Sequence, residues 1–264
     1  MTWYTRPNNS TGDSLTNIGA LALIGGYDCA SHVRACQVPS GRMYRHPDLK
    51  AKHEVCCAGT TTCGDHGGTL SRDHTVSLIF YTLYSGDKEP LRKFFWFTIR
   101  NFGQHSGGTI GQRMQNVQSY AAMLLALGDA YYIFGLLLSL LALPVLYLSA
   151  KKLDIGYRLV MVAEYALLYW LTYPKWFRPT LKGLPIICYK RQPTNLYYEV
   201  VTAMCEGRNP SYLTPLANQI SWNQALHGVD ESWYFTNPDD GRKGTGIEGQ
   251  YILALIKDYE RFKG

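Results

Sequence analysis

Between residues 133 and 150 the chain reads IFGLLLSLLALPVLYLSA, eighteen residues without a charge, followed at once by Lys151 and Lys152. No other stretch restricts the fold as much. A run this long and apolar is stable as a helix enclosed by protein, or as a helix against lipid, where about 20 apolar residues are needed to cross. Gly135 and Pro144 interrupt the run. The apolar segment that follows, LVMVAEYALLYWLTY (159–173), contains Glu164, which is costly in hydrocarbon. Mean hydropathy over the whole chain is −0.16. These features favour a buried core helix, with a membrane hairpin over 133–172 as the alternative.

Elsewhere the pattern is helix after helix, punctuated by glycine. DSLTNIGALALIGG (13–26) starts at a capping Asp13 or Ser14 and stops at Gly25-Gly26. SRDHTVSLIFYTLYSG (71–86) offers Ser71 as N-cap and sets Val76, Ile79, Phe80 and Leu83 at helical spacing. EPLRKFFWFTIRNFG (89–103) places Pro90 in the first turn and Leu91, Phe94, Phe95 and Phe102 on a stripe. QNVQSYAAMLLALG (115–128) runs to Gly128, and PTNLYYEVVTAMCEG (193–207) carries Leu196, Val200, Ala203 and Met204 on one face. IEGQYILALIKDYERF (247–262) puts Ile247, Tyr251, Ile252, Leu255 and Tyr259 in register. Alternation with period two is nowhere sustained. The expectation is an all-α chain of antiparallel helical hairpins, either an α/α-toroid-like ring or an irregular bundle, forming a single domain over 1–264.

The net charge of +6, from 26 Lys+Arg against 20 Asp+Glu, is scattered, with no basic run longer than a pair, which argues against nucleic acid as a partner. The first residues, MTWYTRPNNSTGDS, are polar and do not read as a secretory signal, so synthesis in the cytoplasm is expected. Phosphate-binding, GxSxG, HExxH and dinucleotide-binding signatures are missing.

Residues 45–74, RHPDLKAKHEVCCAGTTTCGDHGGTLSRDH, hold four histidines, three cysteines, three aspartates and one glutamate. Three readings of this segment stay open. His53 and Cys56 face Cys63 and His66 as two x2-spaced arms, a ligand set zinc accepts, in a Cys/His-rich loop at about 53–66. Cys57 or Cys56 with Cys63, and Cys29 with Cys36, are disulfide alternatives; seven cysteines leave one unpaired in any case. The third reading is a polar rim. Arg45, His46 and Asp48 on one side and Arg72, Asp73 and His74 on the other stand at segment boundaries, with Asp73 in the first turn of a helix, where an acid is favoured. Asp48 and Asp73, with His74, would be candidate catalytic groups for a glycosidic bond, and Arg45, His46 and Arg72 candidate ligand-binding groups. A later cluster, SWNQALHGVDESWYF (221–235), adds Trp222, Asp230, Glu231 and Trp233, rings and acids of the kind that hold sugars.

The ordered landmarks DSLTNIGALALIGG, RHPD, SRDHTVSLIFYTLYSGD and RQPTNLYYEVVTAMCEGR resemble those of a group of helical proteins encoded by tailed phages and prophages. His74 occupies a position where that group carries glutamine. The resemblance implies a virion-associated structural or host-recognition protein of the tail or baseplate region, oligomeric in its assembly with other virion proteins, whose polar rim meets a partner or host-surface polysaccharide. The helical hairpins are similar in architecture to α/α-toroid glycosidases and polysaccharide lyases, so a polysaccharide-cleaving enzyme is the alternative. A membrane-hairpin lysis factor is the third expectation.

Overall fold

A computed structural model describes residues 14–47, 50, 70, 72–104, 115–152, 157–193, 195–227 and 247–263. The chain is all-α. Among the described residues there is no strand, and extended pairing is limited to isolated bridges such as Gln37 with Met43. Packing divides the chain into two compact units, Met1–Leu138 and Ser139–Gly264.

The first unit contains a 3-10 turn at Ser14–Asn17 and helices α1 (Ile18–Ile24), α2 (Cys29–Cys36), α3 (Arg72–Ser85), α4 (Glu89–Arg100) and α5 (Val117–Leu127). It ends within α6 (Asp129–Lys152), which continues into the second unit. α3 is its axis and packs on α1, α4 and α5. The spacing of Val76, Ile79, Phe80 and Leu83 predicts one buried stripe, but eleven of the fourteen residues of α3 are buried. Its polar side chains make this possible by bonding inward: the Thr82 hydroxyl donates to the Leu78 carbonyl at 3.1 Å, and Thr75 accepts from the Gln115 amide at 2.8 Å. A helix buried all round carries no amphipathic signature.

α1 crosses α3 at Gly19. A Cβ there would lie 2.5 Å from the Phe80 Cβ and 2.8 Å from the Ser77 carbonyl oxygen, so only glycine admits this approach. The Gly19 N–H, one of the unpaired donors at the start of α1, donates to the Ser77 hydroxyl at 2.9 Å. Asn17, the residue before α1, makes no side-chain cap; α3 supplies it instead. Around this crossing, Asp87 accepts from Tyr81 Oη at 2.9 Å and from Arg34 Nη2 at 2.8 Å, fastening α2 to the turn after α3. Gln37 Nε2 donates to the Gly41 and Pro90 carbonyls. Gly41 itself has φ +96° and presses against the Lys93 carbonyl of α4, a contact no side chain allows. Leu91, Phe94 and Phe95 of α4 are buried as their spacing predicts. Phe102 is not: α4 ends at Arg100, and Phe102 lies in the following turn with φ +52°, 82 % exposed.

The second unit holds the rest of α6, then α7 (Tyr157–Thr172), a 3-10 turn at Arg178–Leu181, α8 (Gly183–Arg191), α9 (Leu196–Glu206), a 3-10 turn at Pro210–Leu213, α10 (Thr214–His227), α11 (Glu248–Lys257) and α12 (Tyr259–Lys263). α9 plays the part that α3 plays in the first unit, packing on α7, α8 and α11. Asn195 caps its start by accepting from the Tyr197 N–H at 3.2 Å, and Gly207 ends it at φ +75°. The many aromatics are core material: Tyr197 stacks on Tyr251 at 6.3 Å and Trp170 on Tyr259 at 6.1 Å.

Two substitutions test the α1–α3 crossing. Gly19→Ala forces the helices apart and is expected to cost about 2 kcal/mol, read as a lower urea midpoint. Ser77→Ala strands a buried N–H and is expected to cost about 1 kcal/mol. An unchanged midpoint in either would remove the crossing from the list of stabilising contacts.

Candidate functional site

The polar residues singled out in the sequence enter the interior of the first unit. Arg45 and His46 are buried, Asp73 is 7 % exposed and His74 fully enclosed; Arg72 is exposed. Asp73 sits in the first turn of α3, where the helix dipole favours its charge. Its Oδ1 lies 3.4 Å from His74 Nδ1. His32 of α2, which sequence reasoning passed over, is also buried and meets the His46 ring edge-on at 5.4 Å. This arrangement sets the His32, His46 and His74 rings and the Asp73 carboxylate in the interior of the described part of the first unit. Asp48 lies outside the described residues, so its distance to Asp73 is not part of the described geometry.

His53, Cys56, Cys57, Cys63 and His66, the zinc and disulfide candidates of the loop, also lie outside the described residues, as do Asp230, Glu231 and Trp233. Trp222 falls in the second half of α10. Cys29 and Cys36, the first and last residues of α2, are both buried, and Cys29 is a free thiol, so the two are not joined to each other. Burial, reinforced by the Asp28 carboxylate, pushes the Cys29 thiol up to about 11, so it is a neutral core group near pH 7. Among the described residues no three His, Cys, Asp or Glu side chains converge as a metal site would need.

The feature that stands out lies on α6. Residues 133–150 form a helix, as expected, but it is not enclosed on all sides. Its inward face is Gly135, Ser139, Ala142, Leu143, Leu146 and Ala150. Its outward face is Ile133, Phe134, Leu137, Leu140, Leu141, Val145 and Leu148, all exposed, with Phe134 at 64 % and Leu141 at 67 %. The expectation of a core helix is therefore corrected: the small side chains, with Leu143 and Leu146, point to the protein, and the other large apolar ones point away. Gly135 explains the local fit. A Cβ there would lie 2.7 Å from the Leu125 backbone nitrogen, so α6 rides directly on the backbone of α5. Farther along, the Tyr147 hydroxyl donates to the Thr180 carbonyl at 2.8 Å, and Arg191 Nη1 donates to the Ala150 carbonyl at 3.0 Å. At the start of α6, Trp96 Nε1 donates to Tyr131 Oη at 3.3 Å, and Lys88 approaches Asp129 at 3.4 Å. Polar and aromatic groups thus mark both ends, with an uncharged stripe between.

Comparison with protein-family models, curated proteins and solved structures produced no match.

The histidine pair predicts how stability follows pH. Burial, then the neighbouring His46, holds the His32 imidazole down to about 3 from its ordinary 6.5. Below pH 6.5 the unfolded chain takes up a proton here that the folded chain refuses until about pH 3. The stabilisation is complete at neutral pH and is lost as pH falls through that window. Between pH 7 and pH 5 the fold is expected to lose about 2 kcal/mol from this residue, and the loss is expected to shrink in a His32→Gln variant. Equal pH slopes for the two proteins in urea titrations would remove His32 as the cause.

Proposed function

We propose that this chain works at a lipid bilayer, with α6 as the element that seats it there. One observation carries the reading: the only long uncharged helix among the described residues is inverted relative to a water-soluble one. Small residues inside and large aliphatic residues outside is the division expected where lipid, not water, is the outer solvent. The stripe from Ile133 to Leu148 rises about 22 Å along the helix. Seven exposed side chains of this size, half withdrawn from water, would contribute roughly 5–10 kcal/mol before the costs of association. An ordinary interfacial helix has an apolar face and a charged face. Here the protein packed against Gly135, Tyr147 and Ala150 takes the place of the charged face. The helix then lies along the membrane.

A second reading sets the chain in a tailed-phage particle as a tail or baseplate protein, with the same stripe covered by a neighbouring virion protein. It is favoured by where the landmarks of the resemblance fall: 13–26 and 71–87 supply α1 and α3, the pair locked at Gly19 and Ser77. Mass spectrometry of purified particles decides it, since a virion protein must be present in them.

For the membrane reading the test is flotation with phosphatidylcholine vesicles. The wild-type chain is expected to rise with the vesicles. Leu137→Lys combined with Leu141→Lys places two charges on the outward face without touching the interior, at about 2.5–3.5 kcal/mol each if the site is hydrocarbon, and is expected to leave the protein at the bottom with an unaltered circular dichroism spectrum. A double variant that floats as the wild type does would end the proposal.

A further inference from the structure

We infer that the second unit carries a headgroup site for anionic phospholipid at the C-terminal end of α6, resting on the seating of α6 proposed above. From Tyr165 to Tyr198 the chain contains no aspartate or glutamate, while it carries Lys175, Arg178, Lys182, Lys190 and Arg191. The fold brings this segment to the last turns of α6. Gly183 lies so close to Tyr147 that a Cβ would be 2.9 Å from the phenol oxygen, which sets Lys182 beside that turn. Arg191 reaches the Ala150 carbonyl at 3.0 Å, one residue from the exposed Lys151. Lys182 and Lys190 are exposed as well. Trp176, next to Lys175, is 74 % exposed, and its stretch runs through the 3-10 turn Arg178–Leu181 into Lys182.

Seven of the other basic residues are already paired with a carboxylate; among the described residues Arg42, Lys50, Arg100 and Lys257 are not, but they lie outside this acid-free segment. Arg34, Lys88, Arg92, Lys93, Arg208, Arg261 and Lys263 each lie within ion-pair distance of a carboxylate. Among the described residues, Lys151, Lys175, Lys182, Lys190 and Arg191 have no such carboxylate. Like charges gathered without counter-charges repel, and an external anion relieves that repulsion. A membrane surface meets every part of the arrangement. Its hydrocarbon takes the stripe of α6, its interface suits an exposed tryptophan, and its phosphate layer meets the cations that follow the stripe from Lys151 onward. Phosphatidylglycerol is the simplest lipid with this chemistry. Duplex DNA offers phosphates but nothing for the adjoining apolar stripe.

The experiment measures binding of the full chain to neutral phosphatidylcholine vesicles and to vesicles containing about one-third phosphatidylglycerol at low salt. Wild type is expected to bind the anionic vesicles up to about 3,000-fold more tightly, the five basic residues contributing about fivefold each. Lys182→Glu with Lys190→Glu is expected to lose at least about tenfold of that preference while binding neutral vesicles as before; Lys182→Gln with Lys190→Gln, gentler to the fold, is expected to lose less in the same direction. Equal wild-type binding to both vesicles overturns the headgroup site and leaves the seating of α6 standing. A preference untouched by either pair of substitutions overturns the assignment to this patch. Release from anionic vesicles by a short DNA duplex reassigns the patch to nucleic acid. Binding to neither vesicle overturns the membrane reading and this inference with it.

Discussion

A helix without a solvated face needs neighbours in every direction, and α3 and α9 each impose that requirement on one unit. Around α3 it is met by close approach. Gly19 lets α1 come within backbone distance, and Ser77 supplies the hydrogen bond that α1 lacks at its own start. Gln37, Gly41 and Asp87 then fasten α2 and α4 to the same centre. Around α9 the space is filled by rings, and caps at Asn195 and Gly207 fix the length of the central helix. Where burial removes the water that would support a charge and a neighbouring charge opposes it further, as at His32 beside His46 and Cys29 beside Asp28, the residue is held neutral.

Much of this was legible in the residues. Helix identity, the stops at Gly25, Gly86, Gly128 and Gly207, and the all-α class follow from spacing and capping. The stripe rule failed where a helix is central: of Val76, Ile79, Phe80 and Leu83 the last is only half-buried, and nothing in the local sequence said that Ser77 and Thr82 would be buried beside the other three. It failed again at Phe102, which keeps helical spacing beyond the end of its helix. Polar residues at helix starts are equally suited to cap, to pair or to react, and only tertiary packing places Asp73 and His74 inside.

The orientation of α6 was legible in part. Gly135, Ser139, Ala142, Leu146 and Ala150 recur every three or four residues, a seam of mostly small side chains within a run of leucines. Read as an interruption of the apolar run, Gly135 argues for a broken core helix. Read as a contact, it argues for a helix laid against another backbone with its bulk turned outward, which is the arrangement found. Hydropathy alone does not separate the two, because both faces of α6 are apolar. Side-chain volume does.

That division has a consequence for how α6 can vary. On an ordinary surface helix the outer positions drift freely and the inner ones are held by fit. On α6 Gly135 admits no increase in volume, while on the membrane seating proposed above the outer positions admit aliphatic shapes and disfavour polar ones. Leucine, isoleucine, valine and phenylalanine should interchange on the outer side, while Gly135, Ser139, Ala142 and Ala150 should stay small and Leu143 and Leu146 should stay large and aliphatic.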